Sequence, residues 1–162
     1  EGIHFLITEH QIRLEGARQT MSEAYQQLVK DRIFIGGAAD AKTAVANEGI
    51  DVVFDLRAEA GDSEESYTRV HAPIVDDSTE QQDESIQEAV DGVVTAYEEG
   101  KKVFFHCAGG SNRAGSVAIG TLLALGEAKT VEEAEQMAKN IRPIISVKPE
   151  LKESLQRLFP NA

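Results

Sequence analysis

Short apolar runs and segments with helical periodicity alternate along most of the chain. The run over residues 50–56 is β-branched and almost continuously apolar, which is typical of a strand covered on both faces. The apolar runs predict strands over residues 32–37, 50–56, 67–75 and 101–107, with Pro73 at the edge of the third.

Helical segments fill the intervals between these strands. Gly49 is positioned to end one helix, and Thr130 with Glu133 has the spacing of a capping box at the start of another. The predicted helices span residues 21–30, 38–49, 83–99, 113–126, 130–141 and 149–159, the first with Ser22 as its N-cap.

Alternating strands and helices favour an α/β fold with a central, mostly parallel sheet flanked by helices. Ligands of such sheets bind at the carboxyl ends of the strands. Cys107 ends one predicted strand. Asp55, Arg57 and Asp76 lie at or just beyond the ends of two others. We therefore expect these four side chains at one edge of the sheet.

Composition is that of a soluble globular protein of one domain. Of the 162 residues, 41% are hydrophobic and 27% are charged, which is ordinary for that class. The formal net charge is −12, which disfavours nucleic acid or an anionic membrane surface as the main partner. An anionic substrate must then be bound by a local positive site.

The chain is interpreted as one folded unit with a short extension. Residues 1–20 are expected to be an N-terminal extension or an expression remnant, and residues 21–162 a single domain. The apolar run at residues 3–7 is too short to cross a bilayer, so no membrane insertion is expected. One cysteine cannot form an internal disulfide, which indicates a reducing compartment such as the cytoplasm.

The only cysteine, Cys107, lies where a predicted strand meets a glycine-rich turn and then a helix. Backbone N–H groups of such a turn, together with the helix N-terminus, form a site for an anion. Gly109, Gly110 and Gly115 permit the positive φ and the close approach that the turn needs. Arg113 adds a planar fork for two phosphate oxygens. The same positive surroundings stabilise a thiolate at Cys107.

The residues around this turn resemble a family signature. Residues 106–113 read H-C-x-x-G-x-x-R, which is similar to the C-x5-R loop of the cysteine-dependent protein tyrosine phosphatases. The segment APIVDD, residues 72–77, resembles the general-acid segment of the dual-specificity branch, and residues 140–159 resemble its terminal segment. The resemblance covers roughly residues 30–160 and implies the dual-specificity phosphatase fold for the catalytic domain.

The resemblance also implies a mechanism, in which phosphate monoesters are hydrolysed through a phosphocysteine intermediate without a metal or other cofactor. Cys107 would attack phosphorus, Arg113 would bind phosphate oxygens, and Asp76 would protonate the leaving oxygen. His106 would tune the thiolate through neighbouring hydrogen bonds. The residues implied in phosphate binding are Ala108, Gly109, Gly110, Ser111, Asn112 and Arg113.

Alternatives stay open at the charged positions. Asp77 competes with Asp76 for the acid role, although the family pattern favours the residue directly after PIV. Arg57 would orient the acid segment, contact substrate or pair with a surface glutamate. Arg142 and Lys148 would meet a substrate phosphate or simply lie at helix ends. The acidic run over residues 58–66 is expected to be a solvated loop without a role.

One position departs from the family pattern. Most members carry Ser or Thr after the signature arginine, where the hydroxyl stabilises the departing thiolate, but this chain has Ala114. Ser111 and Ser116 are close in sequence, but neither occupies the matching position. The departure predicts slow hydrolysis of the phosphocysteine intermediate.

The expected substrate is a phosphoprotein, with phosphotyrosine foremost and phosphoserine or phosphothreonine also open. The alternatives are a small nonprotein monoester, such as an inositol phosphate or a phosphoinositide, and a phosphate-binding module of low turnover. The presence of Cys107, Arg113 and Asp76 together weighs against the binding module. No oligomeric state is predicted from the sequence.

Overall fold

The structure is a computed structural model that describes residues 25–61, 64–77 and 80–162. Strands and helices alternate through most of these ranges. The strands are β1 (Gln26–Val29), β2 (Ile33–Gly37), β3 (Val52–Arg57), β4 (Arg69–Ile74) and β5 (Val103–Cys107). The α-helices are α1 (Ala41–Glu48), α2 (Asp83–Glu98), α3 (Arg113–Ala124), α4 (Val131–Ile141) and α5 (Pro149–Leu158).

The strands form one sheet in the order β1-β2-β5-β3-β4. Every neighbouring pair is parallel except β1 and β2, which are antiparallel. In the register of the sheet Gly37 pairs with Cys107 and Asp55 pairs with His106, so β2, β3 and β5 end at the same edge. The predicted α/β fold with a mostly parallel sheet is confirmed.

The central strand β5 is buried along its whole length. Phe104 packs in a cluster with α1, whereas Val103, Phe105 and Cys107 belong to the larger cluster formed with the remaining helices. This alternation follows from the two-residue period of a strand with helices on both faces. The thiol of Cys107 therefore lies at the end of a central strand that is buried along its whole length.

One predicted helix is wrong. Residues 26–29, predicted as part of a helix over 21–30, form strand β1 and pair with β2, with Gln26 opposite Ile35. Pairing with the open edge of β2 satisfies backbone groups on both strands, and this tertiary contact overrides the local helical preference. Ser22 and the extension predicted over residues 1–20 lie outside the described residues.

The other helix boundaries follow their predicted signals with small differences. Gly49 adopts a left-handed conformation with φ +67° and ends α1. Thr130 accepts a hydrogen bond from the backbone N–H of Glu133, but the Glu133 carboxylate accepts from Lys129 N instead of closing the capping box. Within the described ranges no helix is long and apolar enough to cross a membrane.

Candidate active site

A cleft of about 300 Å³ opens at the carboxyl end of β5. Three segments form it: the loop between β5 and α3, the segment that follows β4, and the segment that precedes α5. We call residues 107–113 the signature loop and residues 75–77 the acid segment. The residues that line the cleft are Asp76, Cys107, Ala108, Gly109, Ser111, Asn112, Arg113, Ser146 and Lys148.

The signature loop depends on glycine at one position for its conformation. Gly110 has φ +71°, and a Cβ there would lie 2.6 Å from the carbonyl oxygen of Gly36. Gly115 is needed for close approach, because a Cβ would lie 2.9 Å from side-chain atoms of Ile145 and Val147. Gly109, expected to share these requirements, faces open space and has no positive φ.

The Cys107 thiol lies at the bottom of the cleft and is 3% exposed. Its sulfur accepts hydrogen bonds from the backbone N–H groups of Gly110, at 3.2 Å, and Ala114, at 3.4 Å. These donors are supplied by the turn and by the first turn of α3. The sulfur therefore lies where two backbone N–H dipoles converge.

Neither nearby serine replaces the hydroxyl that is missing at Ala114. The Ser116 hydroxyl donates to the carbonyl oxygen of Arg113 at 2.7 Å. The Ser111 hydroxyl donates to the carbonyl oxygen of Ile144 at 2.9 Å. Both hydroxyls are therefore directed away from the sulfur, as their sequence positions suggested.

Arg113 is buried, and its guanidinium forms a bidentate pair with Glu59 at 2.7 and 3.1 Å. The Arg113 Nη1 also donates to the carbonyl oxygen of Ile74 at 3.3 Å. The hydrogen bond from Arg113 lowers the pKa of Glu59 to about 2. Glu59 is thus a carboxylate that fixes the plane of the signature arginine.

Glu59 was not predicted as a site residue, because it belongs to the acidic run that was expected to have no role. It lies in a short 3₁₀ turn, Ala58–Ala60, directly after β3. Ligands bind at the carboxyl ends of parallel strands, and on this ground Asp55 and Arg57 were expected near the site. Glu59 follows the end of the same strand, so the same reasoning applies to it.

Asp76 lines the cleft beside the signature loop. Its Oδ1 accepts a hydrogen bond from Asn112 Nδ2 at 2.8 Å and lies 3.5 Å from Lys148 Nζ. Burial alone raises the pKa of Asp76, but the Asn112 hydrogen bond and the charges of Arg113 and Lys148 outweigh it, so the pKa is lowered. Asp76 is ionised at neutral pH when the cleft holds no anion.

Asp77, the rival for the acid role, is placed differently. Its backbone has φ +58°, its side chain is 74% exposed, and its carboxylate contacts Lys148. Asp77 is absent from the residues that line the cleft. Of the two acids that the sequence left open, only Asp76 borders the space above the thiol.

Arg57 does not enter the cleft. It forms a bidentate pair with Asp55 at 3.0 and 2.8 Å, and Arg69 binds the same carboxylate at 2.9 Å. Burial raises the pKa of Asp55, but the hydrogen bonds from Arg57 and Arg69 outweigh it and lower the pKa strongly. The partner of Arg57 is therefore a buried aspartate of its own strand, not substrate or a surface glutamate.

Arg142 does not line the cleft either. The guanidinium is buried and donates to the carbonyl oxygens of Gly110, at 2.8 Å, and Gly109, at 3.2 Å, and to Gln26 Oε1 at 2.6 Å. In a trans peptide the N–H points opposite to the carbonyl. By binding these carbonyls, Arg142 turns the N–H groups of Gly110 and Ser111 the other way, as the Gly110 bond to sulfur shows.

His106 lies beneath the loop in the buried part of β5. Its Nδ1 is 3.1 Å from the carbonyl oxygen of Cys107 and 4.0 Å from Asp55 Oδ1. Burial lowers the pKa of His106, despite the opposing effects of these two neighbours. A neutral ring that donates from Nδ1 supports the backbone of the nucleophile and does not face the cleft.

A family model described as "Dual specificity phosphatase, catalytic domain" matches residues 33–159. Curated protein sequences give no significant match. Human DUSP28 has a similar structure, with a TM-score of 0.72 and 20% identity over 85% of this chain and 93% of that one. Tk-PTP in its active form gives 0.72 and 20%, covering 87% and 99%. PTPMT1 in complex with PI(5)P gives 0.71 and 17%, covering 85% and 96%. These structures share the fold.

Proposed function

Because this chain belongs to the family of dual specificity phosphatase catalytic domains, we propose that its cleft hydrolyses phosphotyrosine through Cys107, Arg113 and Asp76. As a member of that family it is a cysteine-dependent phosphatase. One observation carries the assignment of roles. The thiol, the guanidinium and the carboxylate border one cleft, and two backbone N–H groups are directed at the sulfur.

In the first step the Cys107 thiolate attacks phosphorus and forms the S–P bond. The bond from phosphorus to the ester oxygen breaks, its electron pair goes to that oxygen, and Asp76 supplies the proton. Arg113 and the loop N–H groups bind the three equatorial oxygens, where the transition state carries its charge. Because Asp76 is ionised before substrate binds, the proton for the leaving oxygen has one of two sources. Either the phosphate dianion raises the pKa of Asp76 so that the carboxylate takes a proton from solvent, or the ester binds as its monoanion and brings the proton.

In the second step water attacks the phosphocysteine. Asp76 accepts a proton from the water, the S–P bond breaks, and its electron pair returns to the sulfur of Cys107. The N–H groups of Gly110 and Ala114 receive the thiolate, with no hydroxyl beside them. Second-step hydrolysis is therefore the slower half of the cycle.

Two features of the cleft favour an aryl phosphate over a polyphosphorylated inositol. Of the residues that line it, Arg113 and Lys148 are cationic, and Lys148 is already paired with Asp76 and Asp77. Arg57 and Arg142, which would strengthen binding of further phosphates, are held elsewhere. The cleft therefore offers one strong phosphate site.

We call Val75 and Ile144 the apolar rim, since each is joined by a peptide bond or a hydrogen bond to a residue that lines the cleft. Among the described residues, large hydrophobic side chains are exposed at Val70, Val75 and Ile144, the last two by 46% and 57%. Val75 directly precedes Asp76, and the Ile144 carbonyl binds Ser111 of the signature loop. Exposed apolar groups beside a site supply contact area for a ring or a neighbouring side chain.

The phosphoinositide alternative has one observation in its favour, namely the structural similarity to PTPMT1, which was solved in complex with PI(5)P. At 17% identity this likeness concerns the fold. We therefore treat inositol phosphates as the second substrate class.

The proposal is tested by phosphate release from a phosphotyrosine peptide, a phosphoserine peptide and inositol phosphates, with wild type and Cys107→Ser compared on each. We expect kcat/KM to be highest on phosphotyrosine and to fall at least ~10³-fold in Cys107→Ser. A higher kcat/KM on inositol phosphates would support the second class. Phosphopeptide binding without Cys107-dependent turnover would contradict both and favour a binding module.

The apolar rim is tested by Val75→Ser, with Val70→Ser as the matched control. Val70 is also exposed, but it lies near the start of β4, whereas Val75 is bonded directly to Asp76 of the cleft. We expect Val75→Ser to raise KM for the phosphotyrosine peptide about three- to fivefold without changing kcat. An equal change in both variants would contradict a role of the rim in binding.

A further inference from the structure

One side chain joins the signature loop to the acid segment. Asn112 Nδ2 donates to Asp76 Oδ1 at 2.8 Å, and the backbone N–H of Lys148 donates to Asn112 Oδ1 at 2.8 Å. Both ends of the amide are used, and a flipped amide would set like groups against each other at both contacts. The orientation of Asn112 is therefore fixed by its two partners.

The segment before α5 also reaches the acid segment through the side chain of Lys148. Its Nζ lies 3.5 Å from Asp76 Oδ1 and contacts the carboxylate of Asp77. Lys148 is the N-cap residue of α5, so its backbone position is set by the helix. Three segments that are distant in sequence thus meet at one carboxylate.

Asp76 depends on these contacts because little else holds it. Its side chain is 40% exposed. The preceding Val75 is exposed, and its N–H donates to Gln82 Oε1 at 3.2 Å. A carboxylate at the surface, after the last residue of an edge strand, has no core packing to fix its direction. The amide of Asn112 supplies that direction.

We propose that Asn112 is a positioning residue that latches Asp76 over Cys107 in its carboxylate form, with Lys148 as the anchor of the latch. This inference rests on the proposed function, since it assigns a task to the proposed acid. The latch acts chiefly in the second step, when Asp76 must be an ionised base for water. The latch thereby offsets part of the loss of rate that the missing hydroxyl at Ala114 causes in the second step.

The charges around Asp76 agree with this assignment. Arg113 from the signature loop and Lys148 from the start of α5 favour the ionised form. Asp77 beside it and the thiolate of Cys107 oppose it. An N–H donor that points at the carboxylate stabilises the same ionised form. The donor of Asn112 is therefore matched to a base and not to an acid.

The first test is a double-mutant cycle. Asn112→Ala is made in the wild type and in Asp76→Ala, and kcat is measured on the phosphotyrosine peptide. We expect about a tenfold loss in the wild type and less than a twofold loss when Asp76 is absent, because a latch without its carboxylate has no function. The same loss in both backgrounds would overturn the proposal and show that Asn112 acts on phosphate or on the loop.

The second test is the pH profile of kcat. The limb that reports Asp76 is the one that disappears in Asp76→Asn. We expect Asn112→Ala to move this limb upward by about half to one pH unit, because loss of the donor raises the pKa of the carboxyl. Ser111→Ala is the matched control, since its hydroxyl bonds to the Ile144 carbonyl. We expect Ser111→Ala to lower kcat without moving the limb that reports Asp76. Equal movement in both variants would overturn the latch.

A third measurement does not need turnover. In the Cys107→Ser protein, the side-chain amide signals of Asn112 are followed by NMR during a pH titration. We expect them to report ionisation of Asp76, to persist in Asp77→Asn and to stop titrating in Asp76→Asn. If the wild type is active but the Asn112 signals of the Cys107→Ser protein do not respond to ionisation of Asp76, the latch alone is overturned. An inactive wild type with the titration intact would overturn the proposed function while the contact stands.

Discussion

The signature loop and the acid segment face the same cleft but are held in different ways. Cys107 and Arg113 are 3% and 2% exposed, whereas the side chains of Asp76 and Asp77 are 40% and 74% exposed. The first pair belongs to the central strand and a buried helix, and the second follows an edge strand. One half of the site is set by the core and the other by polar contacts at the surface.

This difference matters for the two tasks of the site. The signature loop must hold phosphate in a fixed geometry. It accepts hydrogen bonds from Arg142 and from the backbone N–H of Ala38, the residue after β2, which donates to the Ala108 carbonyl at 3.1 Å. The acid segment must give a proton and then take one, which requires a carboxylate in contact with the cleft and with solvent. The molecule thus has a cradle held by the core beside an acid held by polar contacts at the surface.

The largest loss of activity is expected when the signature loop loses the planar guanidinium of Arg113. Arg113→Lys is expected to lower kcat/KM on the phosphotyrosine peptide by about 10²–10³-fold, because an ammonium cannot bind two equatorial oxygens in one plane. Steady-state kinetics measure this. The control is Arg157→Lys, which alters a bidentate pair with Asp83 outside the cleft and should change kcat/KM less than twofold. Similar losses in both would contradict a special role of Arg113.

Removal of the acid should lower activity less than Arg113→Lys does. The loss of kcat should be larger for Asp76→Asn than for Asp77→Asn. Asp76→Asn is expected to lower kcat about 10²-fold on a peptide, because both proton transfers lose their group. Asp77→Asn should stay within about threefold of the wild type, since Asp77 does not line the cleft. The two variants are compared by steady-state kinetics. The reverse order of losses would assign the acid role to Asp77.

The support beneath the cradle is tested by Arg142→Met. We expect about a tenfold loss of kcat/KM and a fall of about 2 kcal/mol in the free energy of unfolding, because the carbonyls of Gly109 and Gly110 lose their donor. Denaturant titration gives the second value. Arg142→Lys keeps the charge with fewer donors and should fall between. Unchanged activity and stability in Arg142→Met would contradict the role of Arg142 in supporting the signature loop.

The smallest effect is a gain. Ala114→Ser places a hydroxyl at the start of α3, next to the sulfur that its backbone N–H already contacts at 3.4 Å. We expect the second step to quicken by about two- to fivefold, because the departing thiolate gains a donor. Rapid-quench kinetics separate the two steps. Indistinguishable second-step rates in the two proteins would contradict the idea that Ala114 limits release.

Most of the fold could be predicted because its signals are local. The run VFFHC is apolar on both faces and is followed by glycine and arginine, so strand, turn and helix are readable from adjacent residues. Strand β1 could not be read in this way, since residues 26–29 become a strand only by pairing with β2. The cytoplasmic location indicated by the single cysteine stays a prediction.

The unpredicted parts of the site join residues that are far apart in sequence. Asn112 and Asp76 are 36 positions apart, and Arg113 and Glu59 are 54 positions apart. Such contacts depend on how the strand ends are ordered in the sheet, which no local pattern specifies. The two roles left open for Arg142, a contact with substrate phosphate or a place at a helix end, likewise did not include its contacts with the distant carbonyls of the signature loop.

The central claim is that the thiol of Cys107 carries the phosphoryl group between the two steps. The direct measurement is intact-mass and peptide analysis of protein quenched in acid during turnover of a phosphotyrosine peptide. We predict one phosphoryl group, located on Cys107, accumulating to a substantial fraction of the protein because release is the slower step. Turnover with no phosphoryl adduct, or with the adduct on another residue, would contradict the claim.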